Sequence, residues 1–348
     1  MKLQKMMTSA LVAFSTLLLV ACEKSPEMVT LTGKTMGTTY SVKYIDNGQF
    51  QIKSEAMHAG IESVLRDVNN KMSTYIASSE LSMFNQYTQI DTPIEISADL
   101  ATVLAESIRL NKVTDGALDV TIGPIVNLWG FGPEKRTTPE SMEEQLEKRR
   151  AWVGIEKLVL TQEGEKFFLQ KAVPQLYIDL SSIAKGFGVD KVAAYVSSQG
   201  ADNYLVEIGG EIRAKGKNLE GKDWQIAIEK PSFDGSRAVS QIIGLKNLAM
   251  ATSGNYRNYF EENGRRFSHE IDPKTGYPID HRLASITVLA DSTMTADGLS
   301  TGLYVLGEEK ALEVAEKYNL LVYLITKTEK GFEARMSSAF EKLLNSQH

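Results

Sequence analysis

The sequence predicts an α+β fold: two packed lobes, or one large domain, of mostly antiparallel sheet with helices. Three observations carry this. Most neighbouring strand candidates are joined by turns of hairpin length, which favours antiparallel pairing. No strand–GxGxxG–helix unit and no Walker loop occurs, so a doubly wound parallel sheet lacks its usual signature. Behind its leader the chain keeps about 325 residues, enough to bury a sizeable core.

The elements follow in order. From Val29 to Tyr44 apolar residues alternate (Tyr40, Val42, Tyr44) around Met36-Gly37-Thr38-Thr39, which reads as strands about a tight glycine bend. Ser54 to Met72 is an amphipathic helix with Met57, Ile61, Val64, Leu65 and Val68 on one face. Ser97 to Thr114 repeats the pattern with Leu100, Val103, Leu104 and Ile108, and Asp99 suits the helix dipole. Thr138 to Arg150 is expected as a charged, solvated helix, a surface insertion after Gly-Phe-Gly-Pro at 130–133. Leu158 to Leu169 is expected as a hairpin turning at Glu163-Gly164, and Gln175 to Leu180 as a strand. A helix over 182–198 precedes strands at 204–208, 211–215 and 224–229, the last alternating Trp224, Ile226, Ile228. Ala284 to Ala290 is a buried strand, followed by helices at 293–305 and 308–318 and strands at 321–326 and 331–336. No fixed-period repeat or linker divides the chain.

The N-terminus reads as a processed leader. Lys2 and Lys5 precede an apolar run from Ala10 to Val20, short of the roughly 20 residues of a permanent span. Leu19-Val20-Ala21-Cys22 looks like a bacterial lipobox, with cleavage before Cys22 and lipid on that cysteine. The expected division is signal peptide 1–21, lipidated tether 22–29 and a folded domain 30–345. Cys22 is the only cysteine, so the folded part makes no disulfide, thiolate nucleophile or cysteine metal site, which suits an oxidising periplasm. The expected location is the periplasmic side of a bacterial membrane, inner before outer. A net charge of −6 without a basic stripe argues against nucleic acid as a partner.

Three segments carry chemistry. Asp179-Leu180-Ser181-Ser182-Ile183-Ala184-Lys185-Gly186 runs from a strand into a helix start, where free N–H groups and a lysine would hold a phosphate. A serine N-cap beside an exposed lysine is the plainer alternative. Thr114-Asp115-Gly116-Ala117-Leu118-Asp119 is rich in small and acidic residues that let a ligand approach the backbone, or it is an ordinary turn. The stretch 252–301 holds Ser268-His269, a rigid Asp272-Pro273-Lys274-Thr275-Gly276-Tyr277-Pro278 loop, and Asp297 with Thr301. Asp297 and Thr301 are four apart in a helical pattern, so a carboxylate and a hydroxyl share one face, as a hard-cation site or as backbone-bonded helix residues. His269 supplies an acid or base near neutral pH, or a cap. The other histidines, His58, His281 and His348, show no zinc spacing, and no GxSxG elbow is present.

Together these segments resemble the ApbE family of FAD:protein FMN transferases. The resemblance rests on MGTTY, MSTYIASSELSMFN, GALDVTIGPIVNLWGFG, IDLSSIAKGFGVDKVA, YLVEIGGEIRAKG, ATSGNYRNYF, SHEIDPKTGYPI and ADGLSTGLYVLG, in that order. It implies Mg²⁺-dependent transfer of FMN from FAD to a threonine or serine of a target flavoprotein, with AMP released and the flavin between two lobes. Implied targets are subunits of Na⁺-translocating NADH:quinone reductase or related electron-transport complexes. Carried over residue by residue, Asp297, Thr301 and a carbonyl in the 182–184 turn, taken as Ser182, are the Mg²⁺ ligands. Met36, Tyr75, Ala117, Leu118, Asp119, Asp179, Lys185 and Ile271 are FAD contacts. His269, Asp297 and Lys185 carry the catalysis, with His269 as base. Alternative readings are an FAD pyrophosphatase giving FMN and AMP, and a non-catalytic FAD-binding lipoprotein; a solute-binding lipoprotein is more distant.

Overall fold

The computed structural model describes residues 25–48, 50, 52–133, 141–230, 238–254, 259–262 and 265–347. The expected signal peptide and Cys22 lie outside the described residues. The elements are β1 (Glu27–Thr35), β2 (Thr38–Asp46), α1 (Ser54–Met72), α2 (Glu80–Gln86), β3 (Ile94–Ile96), α3 (Ala98–Val113), α4 (Gly123–Trp129) and α5 (Met142–Arg150). They continue with β4 (Leu158–Glu163), β5 (Lys166–Lys171), α6 (Ala184–Ser198), β6 (Tyr204–Ile208), β7 (Glu211–Lys215), β8 (Trp224–Lys230), β9 (Ala238–Leu245) and β10 (Ala249–Gly254). The last are β11 (Tyr259–Glu262), β12 (Arg265–Ser268), β13 (Leu283–Ala290), α7 (Thr293–Leu306), α8 (Glu308–Tyr318), β14 (Leu321–Thr328), β15 (Gly331–Met336) and α9 (Ser338–Asn345).

The frame is an eight-stranded sheet in the order β1-β2-β6-β7-β10-β13-β14-β15, antiparallel at every step. A three-stranded sheet, β3-β5-β4, and two ribbons, β8-β9 and β11-β12, complete the described strands. The α+β class is therefore as expected. The first hairpin turns through Met36 and Gly37, both at positive φ (49° and 73°), the geometry that lets a two-residue loop match strand twist. Pairing begins at Glu27, inside the stretch expected as tether.

Three core clusters organise the layers. Met57, Ile61 and Leu65 of α1 meet Val189, Val192 and Val196 of α6 over Val42 and Val206 of the sheet. Leu100 and Leu104 of α3, Leu299 and Leu303 of α7, and Ile286 and Val288 of β13 form the second. Leu289 on the same strand points the other way, into a third cluster with Trp224, Ile243, Tyr323 and Phe340 of α9. Successive side chains alternate across a strand, so β13 is buried on both faces, which explains its unbroken apolar run.

Two expectations fail for local physical reasons. Gln175 to Leu180 is not a strand. Its backbone groups are taken by other partners: Ile178 N–H donates to Asn85 Oδ1 (2.8 Å), Ile178 O accepts from Asn85 Nδ2 (2.9 Å), and Asp179 N–H donates to Val120 O (2.8 Å). Lys171 Nζ adds hydrogen bonds to the carbonyls of Asn85 (3.2 Å), Pro174 (3.3 Å) and Leu176 (3.3 Å). The charged helix after 130–133 is also more than a solvated insertion. Described from Met142, it buries Leu146 (2% exposed) against Ile125, Leu128, Trp129 and Ile271. Arg149 donates to Pro124 O (2.7 Å) and Arg150 to Thr275 O.

Lys171 is 1% exposed, and burial pulls its pKa down to about 8. Its ammonium is the hub on which the segment leading to Asp179 is hung. Lys171→Met fills the same space but leaves three carbonyls, that of Leu176 buried, short of a donor. It is expected to lower unfolding stability by about 2–3 kcal/mol, read from urea denaturation; an unchanged midpoint would contradict this role.

Candidate functional site

The site grows from the contact between α6 and α7. Asp190 of α6 accepts hydrogen bonds from Thr293 N–H and Met294 N–H (2.9 Å each), and Ser292 Oγ accepts from Thr295 N–H (3.1 Å), so the start of α7 is capped twice. The helices touch backbone to backbone because residue 186 is glycine. A Cβ there would lie 2.3 Å from Thr293 O and 2.7 Å from Asp297 Cβ. Across that contact Asp297 Oδ2 accepts from Gly186 N–H at 2.8 Å. Asp297 is 2% exposed, and burial raises its pKa against the pull of Lys185.

Lys185 lies 2.9 Å from Glu211 Oε1 and 3.4 Å from Asp297 Oδ1. Burial works against its charge, but the two carboxylates outweigh burial and hold its pKa above the ordinary lysine value. This revises the sequence reading. The lysine that opposes the helix dipole finds its anionic partners inside the protein. The α6 start also offers less to a phosphate than expected, since Ala184 N–H is bonded to Leu180 O (2.8 Å) and Gly186 N–H to Asp297.

These groups line a cleft of about 360 Å³. Of the residues singled out from sequence, Ala117, Leu118, Asp119, Asp179, Ser182, Lys185, His269, Ile271, Asp297 and Thr301 all line it, although they come from distant parts of the chain. Thr301 lies one turn beyond Asp297, its hydroxyl 3.4 Å from Ser253 Oγ of β10. Asp119 and Asp179 form matching turns: each Oδ1 accepts the N–H two residues on, from Thr121 and Ser181, at 2.8 Å. His269 lines the cleft and makes a T-shaped ring contact with Phe131 (6.5 Å between centroids). Ile271 is held by an antiparallel bridge to Pro278, and Trp129 Nε1–H donates to Gly276 O (2.9 Å), so the Asp-Pro loop is fixed as the sequence suggested.

Two expected flavin contacts are not among the lining residues. Met36 sits at the first hairpin turn and packs against the core, its methyl beside Gly188. Tyr75 is 69% exposed and touches the rim through a 3.4 Å hydrogen bond from its hydroxyl to Phe131 O. Partial desolvation at the rim, then the charge of Asp179, raises its pKa.

Glu211, Glu270 and Ser253 line the cleft without having been singled out. Glu211 opens a strand directly after Gly209-Gly210, and Glu270 stands between His269 and Ile271. An acid within a buried apolar pattern was the signal that would have found both. Glu211 Oε2 and Glu270 Oε2 are buried without a hydrogen-bond partner. Glu270 Oε1 is 3.9 Å from His269 Nε2, and burial pushes the Glu270 pKa up to about 8.

Asp119, Asp179, Glu211, Glu270 and Asp297 thus share the lining with Lys185, its one residue of the lysine or arginine type. An anionic ligand entering there needs added cations. Among the described residues no three acidic or imidazole side chains converge as a metal cage. The Asp297 carboxylate and Thr301 hydroxyl, with Ser182 in the same lining, are oxygen donors of the kind that suits Mg²⁺ sharing its shell with water and phosphate.

Glu270 gives the site a pH signature. Its folded pKa (about 8) lies above the ordinary carboxyl value of 4.5, so across that window the folded state binds more protons than the unfolded one. Its contribution to stability is complete at low pH and is lost as pH rises toward 8. Glu270→Gln is expected to match wild type near pH 4.5 and exceed it near pH 8, by on the order of 2 kcal/mol, in paired denaturation curves. A difference that does not grow with pH would contradict the burial of this carboxyl.

The ApbE family model matches residues 36–324. The FAD:protein FMN transferase of Haemophilus influenzae is 65% identical over 341 residues, covering 98% of this chain and 99% of the relative. The protein of the same name from Vibrio cholerae is 54% identical over 340 residues, covering 97% and 100%. The solved flavin transferase ApbE from Vibrio cholerae superposes with a TM-score of 0.83 at 52% identity, over 91% of this chain and 99% of that one. The apo flavinyl transferase ApbE of Pseudomonas stutzeri gives 0.81 at 38%, over 91% and 97%. A match of this extent in both sequence and fold establishes that the chain belongs to the ApbE family.

Proposed function

We propose that this protein is an FAD:protein FMN transferase that uses Mg²⁺ to join FMN to a threonine or serine hydroxyl of a target flavoprotein, releasing AMP. The observation that carries the reading is the pairing of buried Asp297 with half-buried Thr301 beside Lys185, with His269 lining the same acid-rich cleft. The relatives named for this activity support it.

Asp297, Thr301 and the Ser182 carbonyl would hold Mg²⁺, which supplies charge neutralisation at the pyrophosphate when bound. Lys185, held by Glu211 and Asp297, adds a fixed positive charge beside the phosphate oxygens. The Ala117–Asp119 segment and Ile271 flank the nucleotide, and Tyr75 offers an aromatic surface at the rim. His269 takes the proton of the acceptor hydroxyl. That oxygen then bonds to the FMN phosphorus, the bridging P–O bond breaks, and AMP leaves with its phosphate. The His269 side chain is 37% exposed, so both a protein hydroxyl and water can reach it; hydrolysis to FMN and AMP is the competing outcome.

The acceptors proposed from the family are subunits of Na⁺-translocating NADH:quinone reductase and related electron-transport proteins. Lipid on Cys22 would place the enzyme beside them on the periplasmic face of a membrane.

The test mixes the protein with FAD, Mg²⁺ and an acceptor domain and reads flavin fluorescence on the acceptor after denaturation. Label on the acceptor is expected; free FMN alone would mean hydrolysis, and intact FAD would mean storage. Asp297→Ala is expected to abolish labelling at low Mg²⁺, and full activity would sink the metal assignment. His269→Ala is expected to slow transfer about 100-fold while FAD affinity stays within about twofold. Lost affinity with an unchanged bound-state rate would make His269 a binding residue instead.

A further inference from the structure

Lys185 divides itself unequally between two buried carboxylates. It is 2.9 Å from Glu211 Oε1 but only 3.4 Å from Asp297 Oδ1, while the second oxygen of Asp297 is committed to Gly186 N–H at 2.8 Å. Oδ1 is therefore the oxygen of Asp297 left for a metal. A divalent cation at ligand distance from it, about 2.1 Å for Mg²⁺, would put two positive centres on one carboxylate oxygen. The lysine has somewhere to go. Glu211 is 4% exposed, and its Oε2 is buried without a hydrogen-bond partner. Position 209 is glycine at φ +63°, and a Cβ there would crowd that oxygen at 3.4 Å and Thr38 at 2.9 Å. An unpartnered carboxylate oxygen in a buried site is costly unless something uses it.

We propose that Lys185 and the divalent cation compete for Asp297 Oδ1, and that Glu211 is a positioning residue that draws Lys185 clear when the cation binds. Lys185 then donates to both oxygens of Glu211 and Asp297 Oδ1 passes to the metal. In the metal-free protein the lysine serves as the internal counter-ion that lets Asp297 remain buried. This rests on the assignment of the metal to Asp297 made above.

The experiment measures Mn²⁺ affinity of the full chain without FAD, from the free-ion electron paramagnetic resonance signal. Lys185→Met is expected to bind Mn²⁺ about tenfold tighter and Glu211→Gln about tenfold weaker, while Lys185→Arg, which keeps the competing charge, does not tighten binding. In the Lys185→Met background, Glu211→Gln is expected to cost less than about threefold, because its effect runs through the lysine. Unchanged or weaker binding in Lys185→Met, with its thermal melt still cooperative, would overturn the competition. An equal cost of Glu211→Gln with and without the lysine would show that Glu211 acts only by its charge. Asp297→Asn separates the two layers: wild-type Mn²⁺ affinity in that variant would remove the metal from Asp297 altogether, whereas lost binding there alongside a failed Lys185 result would overturn only the exchange.

Discussion

The hydrogen bond from Gly186 N–H to Asp297 is the contact on which the site depends. It forms only because two helices meet without a side chain between them. A buried carboxylate needs both a charge partner and hydrogen bonds, and this contact supplies one while Lys185 supplies the other. Because Asp190 pins the first residues of α7 to α6, the two helices carry Lys185, Asp297 and Thr301 as one rigid unit. Strands β7 and β10 then bring Glu211 and Ser253 against that unit, and the 268–278 segment brings His269 and Glu270.

Much of this was legible in the sequence. The 3.6-residue periodicity located α1 and α3, and the four-residue spacing of Asp297 and Thr301 put both in the cleft. Other features were not legible because distant side chains decide them. Asn85 and Lys171 take the backbone groups of 174–178 and replace the strand that its apolar residues suggested. Leu146 is the one fully buried residue of a charged helix, and it anchors that helix to α4 and Ile271. No periodicity reveals such a one-residue anchor. Tyr75 and Met36 matched the family by position, but their placement at the rim and in the core follows from tertiary context.

The site concentrates unfavourable electrostatics. Five acidic side chains share the cleft lining with one lysine, and two of them keep a buried oxygen without a partner. A protein selected for stability alone would have little reason to keep this arrangement. It becomes intelligible if added cations and an anionic pyrophosphate complete the charge balance. The same burial that raises the pKa values of Asp297 and Glu270 sharpens every interaction made with a ligand there.

The metal assignment at Asp297 is tested most directly by an anomalous-difference map from crystals of this protein soaked with Mn²⁺ and FAD. A Mn²⁺ peak is expected within ligand distance of Asp297 Oδ1 and the Thr301 hydroxyl, with the FAD pyrophosphate sharing it. A peak seated instead on Asp119 or Asp179, or FAD bound with its pyrophosphate away from Asp297, would contradict it.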